Sequence, residues 1–149
     1  MPRFNFRLQQ YLGIKEQFED QKEIEYAQAL RRLEQEKEIK RRLEEQRDAQ
    51  IFHFRESLKI LIKPSDLRRY NNTIEFLKRR INEQIQRIQA AQTYAEKKRL
   101  ELVEAMKERK ALESVKENAL EEHIRAEFLT EQKEIDELIS YKYSNEEVE

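Results

Sequence analysis

Ile62-Lys63-Pro64-Ser65-Asp66-Leu67 interrupts a chain that is otherwise composed to be helical. Proline lacks the N–H that a helix interior needs, and its ring clashes with the preceding turn. It also drives Lys63 out of the helical region. Ser65 or Asp66 can then accept hydrogen bonds from the orphan N–H groups of a new helix. Elsewhere the only proline is Pro2 and the only glycine is Gly13. The stretch therefore predicts an all-α antiparallel coiled-coil hairpin, two long helices folded back on each other as a single domain over 1–149. The expected bounds are about 8–62 for the first helix, about 63–65 for the turn and about 66–141 for the second, with an acidic tail at 142–149.

Composition agrees with a narrow seam rather than a broad core. Charged residues make up 41% and apolar ones only 38% of the 149 residues, which suits a long two-stranded contact. So polar a chain raises disorder as a reading. Sustained apolar spacing, near-balanced charge and abundant Glu, Lys, Arg, Gln, Leu and Ala argue against it. There is no Cys, so thiol chemistry is excluded. No apolar run approaches the ~18 residues of a membrane span, and the opening Met1-Pro2-Arg3-Phe4-Asn5-Phe6-Arg7 lacks a secretory signal's apolar core. A soluble, intracellular protein is expected.

The net charge of −1 is unevenly distributed. Residues 40–87 hold thirteen Lys and Arg against seven Asp and Glu, a net +6, and the remainder is −7. Helices of this size run roughly 80–110 Å at about 1.5 Å per residue, many times the Debye length of about 8 Å. The turn end and the terminal end are thus expected to present independent electrostatic surfaces, suited to different partners.

The seam itself can be traced. The first segment opens with Phe4, Phe6, Leu8, Tyr11 and Leu12, then Phe18, Tyr26, Leu30 and Leu33 at helical spacing. Gly13 invites fraying there. The seam thins to Ile39 and Leu43 before returning at Ile51–Ile62. After the turn, Tyr70, Ile74, Leu77, Ile81, Ile85 (with Gln84), Ile88, Ala91, Ala95, Leu102 and Met106 follow a coiled-coil alternation. It continues through Leu112, Val115, Ala119 or Leu120, Ile124, Phe128, Ile135 and Leu138. Folding at Pro64 places Leu8 opposite Leu120, so that the second helix overhangs from about Glu121.

No catalytic constellation, phosphate-cradling loop or metal-ligand cluster is present in the sequence, so neither an enzyme nor a cofactor is expected. The two histidines, His53 and His123, lie on different helices at different heights. Basic triplets at 40–42, 78–80 and 97–99 smear their charge around a helix, and acids sit close by. Nucleic-acid binding is therefore not expected. In Ile51-Phe52-His53-Phe54 adjacent side chains cannot all face one seam, so Phe52 or Phe54 must be partly exposed. Together they either seal the hairpin end or offer an apolar anchor to another protein.

One further stripe carries a binding signal. Leu43, Arg47, Gln50 and Phe54 share a helix face, and a sheltered seam would rarely place Arg47 and Gln50 between Leu43 and Phe54. Part of the stripe is therefore expected at the surface. On the returning helix Thr73, Leu77, Arg80 and Gln84 form a similar mixed stripe, offset from the Ile74–Ile81–Ile85–Ile88 seam. Mixed apolar and Arg surfaces are typical of protein contacts.

Four stretches together resemble the FliJ family of the bacterial flagellar type III export apparatus. They are Phe4-Asn5-Phe6-Arg7-Leu8-Gln9, the Asp66-Leu67…Tyr70…Leu77…Ile81 run, residues 104–113 (EAMKERKALE) and residues 131–137 (EQKEIDE). The resemblance spans nearly the whole chain. It departs at Ser114-Val115, where a Lys-Leu pair is common, and in the shortness of the turn. It implies a fold similar to the central stalk of rotary ATPases and a non-enzymatic role. The implied partners are the hexameric flagellar export ATPase, the export-gate membrane protein and export chaperones. A free monomer is expected, cytoplasmic and peripherally attached to the inner membrane at the flagellar base. The resemblance places the ATPase ring on Phe4, Phe6, Arg7, Leu8, Lys15, Arg109, Lys110, Gln132 and Lys133. It assigns the gate to the mixed stripes near the turn. Rival readings are a stator or structural coiled coil of another rotary-type ATPase and a nucleic-acid-associated helical hairpin.

Overall fold

The computed structural model describes residues 3–148. Pro2, and Glu149 of the expected tail, lie outside them. Two helices account for nearly all of the described chain: α1, Gln9–Ser57, and α2, Pro64–Val148. No strand occurs among the described residues. The chain divides into two compact units, Asp20–Val103 and a second made of Met1–Glu19 with Glu104–Glu149.

The helix ends differ from expectation at the turn. α1 stops at Ser57, about a turn and a half before residue 62. The Leu58 N–H still reaches the Phe54 carbonyl at 3.1 Å, but Lys59 and Ile60 donate to Glu56 and Ser57, both at 3.2 Å, which tightens and ends the helix. Pro64 does not stand in the turn ahead of α2. It is the first residue of the helix, where its missing N–H is one of the orphans anyway. Lys63, not Ser65 or Asp66, provides the cap through its backbone: its carbonyl accepts from Asp66 N at 3.0 Å and Leu67 N at 3.2 Å. Asp66 contributes an acid to the first turn, favourable against the helix dipole. At the other end α2 runs on through the acidic segment to Val148 instead of ending near 141.

In the Asp20–Val103 unit the two helices pack antiparallel. Glu25 faces Lys98, Glu36 faces Gln84, and the Phe54 and Tyr70 rings meet edge-on at 5.9 Å. Ser57 Oγ lies 3.4 Å from the Tyr70 hydroxyl, closing the turn end. The core is a single file: Ala29 and Leu33 from α1, Ile74, Leu77, Ile81 and Ala95 from α2, with Glu36 and Gln84 buried among them. In the other unit Phe6, Leu12 and Ala105 are buried, and the Phe4 ring lies 5.4 Å from that of His123. The chain enters α1 there through Gln9 N donating to the Phe6 carbonyl at 3.1 Å and Leu12 N to that of Leu8 at 2.9 Å.

The seam is narrower and more polar than the sequence reading. Along α1 the shielded positions step in strict three-four alternation from Leu12 through Lys15, Glu19, Lys22, Tyr26, Ala29, Leu33, Glu36, Lys40, Leu43, Arg47, Gln50 and Phe54 to Ser57. Leu8, Tyr11, Phe18, Leu30 and Ile39, expected inward, are exposed. On α2 the rhythm selects Gln84 over Ile85 and Ala119 over Leu120, and leaves Val115 outside. A heptad step admits one residue per turn, so an adjacent apolar residue is displaced even when its neighbour is polar.

Candidate functional site

The mixed stripe on α1 is the seam itself. Leu43, Arg47, Gln50 and Phe54 all fall on the inward heptad positions and are half-buried, so each is only partly at the surface. Arg47 takes an inward position because an arginine can lay its methylene stem along the partner helix and keep its head in water. On the returning helix Leu77 and Gln84 are also core and present nothing to a partner. Thr73 is half-buried, with its hydroxyl donating to the Arg69 carbonyl at 2.9 Å. Arg80 alone of that set is exposed, its guanidinium 5.9 Å from the centre of the Phe76 ring. Phe76 was missed by the sequence reading, whereas of Phe52 and Phe54, one of which had to be partly exposed, Phe52 is the outward ring. The Phe76 and Phe52 rings are at least half exposed.

The terminal residues also separate into internal and external members. Lys15 Nζ donates to Glu108 at 2.8 Å and lies over the Tyr11 and Phe18 rings at 5.4 and 5.7 Å. The hydrogen bond to Glu108 raises the Lys15 amine above its ordinary range. Arg109 donates to Glu19 and, at 2.9 Å, to Glu113; these bonds raise its already high pKa further. Phe6 is buried, and Phe4 half-buried against His123. Arg7, Leu8, Lys110, Gln132 and Lys133 are exposed. Beyond His123, whose Nε2 lies 3.1 Å from Glu127, every described residue of α2 up to 147 except Glu127 is exposed. Phe128, Leu129, Leu138, Tyr141 and Tyr143 there are each more than 60% exposed.

The charged and polar groups inside the seam pair with one another. In the Asp20–Val103 unit Lys22, Glu25, Lys98 and Glu101 form an alternating four-charge network with N–O separations of 3.2–3.4 Å. Hydrogen bonds from Lys22 and then Lys98 hold Glu25 below the usual carboxylate range. Lys98 and then Lys22 do the same for Glu101. Gln84 Nε2 donates to the Glu36 carbonyl at 2.8 Å and to its carboxylate. A groove of about 620 Å³ opens where Ala29, Ala90 and Ala91 leave the seam thin. Its rim carries Glu25, Arg32, Glu36 and Arg87. No cluster of His, Cys, Asp and Glu suited to a metal occurs among the described residues. No helix of the described chain is long and apolar enough to cross a membrane.

A family model described as flagellar FliJ protein matches residues 4–147. The fold is similar to that of a YscO homolog, CT670, from Chlamydia trachomatis, with a TM-score of 0.71 and 24% identity over 99% of each chain. None of the curated proteins compared matches. The Phe4–Leu8 opening, the helix break at Pro64 and the 104–113 segment all fall within the matched span, and the chain belongs to the flagellar FliJ protein family.

Proposed function

We propose that this protein is a non-enzymatic stalk and adaptor of the flagellar export ATPase. In this reading it promotes assembly of the hexameric ring, engages the export gate and escorts export chaperones. Membership of the FliJ family makes the chain a component of flagellar protein export, and that match over residues 4–147 is the observation that carries the proposal. The division of labour along the chain supports the finer assignment. The ring contact falls to the exposed terminal residues Arg7, Leu8, Lys110, Gln132 and Lys133, while Phe4, Phe6, Lys15 and Arg109 hold that end together. The gate contact falls to the turn half, with Arg80 and Phe76 as its exposed members, and Leu43, Arg47, Gln50, Phe54 and Thr73 positioning them from within the seam.

The test is ATPase stimulation and ring assembly with the purified export ATPase. Reversing Arg7, Lys110 and Lys133 to Glu should reduce stimulation at least tenfold while leaving helicity and melting unchanged. Those cations are chosen because none of them is tied into the seam, so a loss cannot be ascribed to a broken hairpin. Undiminished stimulation by the triple variant would remove the ring assignment.

A further inference from the structure

The segment Leu58–Lys63 follows the last turn of α1 with Leu58, Ile60 and Leu61 uncovered, while Ile62 is half-buried beside Ser57 and Tyr70. Leu61 is fully exposed, at 104% of its reference area, Ile60 is 75% exposed and Leu58 54%. Had α1 continued to residue 62, Leu61 would have taken the next inward position after Ser57. Because the helix closes at Ser57, Leu61 protrudes from the turn instead, beside Leu58 and Ile60. The segment is also strongly basic. Between residues 55 and 69 stand five Lys and Arg against two acids, Glu56 and Asp66. Of the five, Lys59 pairs with Glu56 at 3.1 Å. Among the described residues Arg55, Lys63, Arg68 and Arg69 form no ion pair with a carboxylate.

We infer that this turn is a membrane-contacting tip that inserts Leu58, Ile60 and Leu61 into the interface of an anionic lipid bilayer, with Lys63, Arg68 and Arg69 on the headgroups. Charge complementarity and side-chain chemistry favour a lipid surface over a protein groove. Protein hot spots rely on Trp, Tyr and Arg seated in shaped pockets, whereas this segment offers only aliphatic branches and cations. A bilayer interface accepts such a set without shape matching: aliphatic tips reach the acyl boundary while Lys and Arg extend to phosphates. Cations near an anionic leaflet strengthen the contact further. The tip would lie in the interface without spanning, since no helix among the described residues is long and apolar enough to cross. The inference goes beyond the stalk reading and depends on no protein partner.

The experiment is flotation of the full-length chain with vesicles of phosphatidylglycerol and phosphatidylcholine in equal parts, and with phosphatidylcholine vesicles alone. Flotation is expected with the anionic vesicles only, and should be lost near ~1 M salt, where screening shortens to about 3 Å. Leu61→Asp should lower the partition coefficient at least tenfold at unchanged circular dichroism, and Lys63→Glu with Arg68→Glu should lower it at least as much. Failure to float with anionic vesicles, or flotation unaffected by Leu61→Asp, overturns the inference. Binding that requires an inserted membrane protein also overturns it and assigns the turn to that protein. Since no ATPase enters the assay, none of these results bears on ring stimulation.

Discussion

Gly13 lies inside α1 between buried Leu12 and exposed Ile14, with no positive φ to justify it. A methyl added there would meet nothing within 4 Å. Glycine in a helix interior is destabilising by roughly 0.5–1 kcal/mol relative to alanine, because it gives up more backbone freedom on folding. Gly13→Ala should therefore raise the unfolding free energy by about that amount in urea titration. A destabilised variant would mean that the backbone at this position departs from ordinary helical geometry. Fraying at Gly13 was the expectation from sequence, yet α1 passes through without a break. Neighbouring contacts, Lys15 to Glu108 and the buried Leu12, hold the turn that propensity alone would loosen. The Ile51–Phe54 cluster was legible to the extent that geometry allowed: one ring had to face out, and Phe52 does. That Phe54 would turn inward to Tyr70 depended on where α1 ends, which propensity does not reveal.

At the scale of the helices, Pro64 announced the hairpin correctly, because no helix interior accommodates a proline. The register of the seam was less legible. Ile85 is more apolar than Gln84, and a hydrophobicity reading prefers it, yet Gln84 is 5% exposed and Ile85 37%. The decision lies in phase: Ile74, Leu77 and Ile81 set a three-four step whose next position is 84. Gln84 is tolerated because Glu36 supplies both acceptors for its amide, and buried polar groups persist when satisfied. Gln84→Leu should cost about 1–3 kcal/mol, since it removes the hydrogen-bond donor of the buried Glu36 carboxylate and leaves it only the long 3.9 Å pair with Arg32. The double variant Glu36→Leu with Gln84→Leu should recover most of that loss, as apolar replacement of a whole buried polar pair often does. Denaturant midpoints of the three proteins decide the matter. A double variant no better than the single one would show that the pair is not energetically coupled. The same reasoning explains the α1 stripe. Arg47 and Gln50 read as surface residues by type but sit inward by phase.

At the scale of the whole molecule, every described side chain from residue 131 to 147 is exposed, although α2 continues through all of them. A helix that buries no face gains little from tertiary packing. This length, with its apolar Leu138, Tyr141 and Tyr143 among Glu and Asp, thus buries no face among the described residues. The stalk reading assigns it to the ATPase ring through Gln132 and Lys133. A chain ending at Thr130 separates stability from binding. Removing residues that bury nothing should change unfolding by no more than about 0.5 kcal/mol, by analogy with surface substitutions, or about 1–2 °C in melting temperature for a chain of this size. Stimulation of the export ATPase should fall at least tenfold in the same preparation, because the proposed ring contacts beyond Thr130 are gone. A truncated chain that stimulates as well as the full one would confine the ring contact to Arg7, Leu8 and Lys110. A drop of many degrees in melting would instead make the terminal helix part of the folded core, which its exposure argues against.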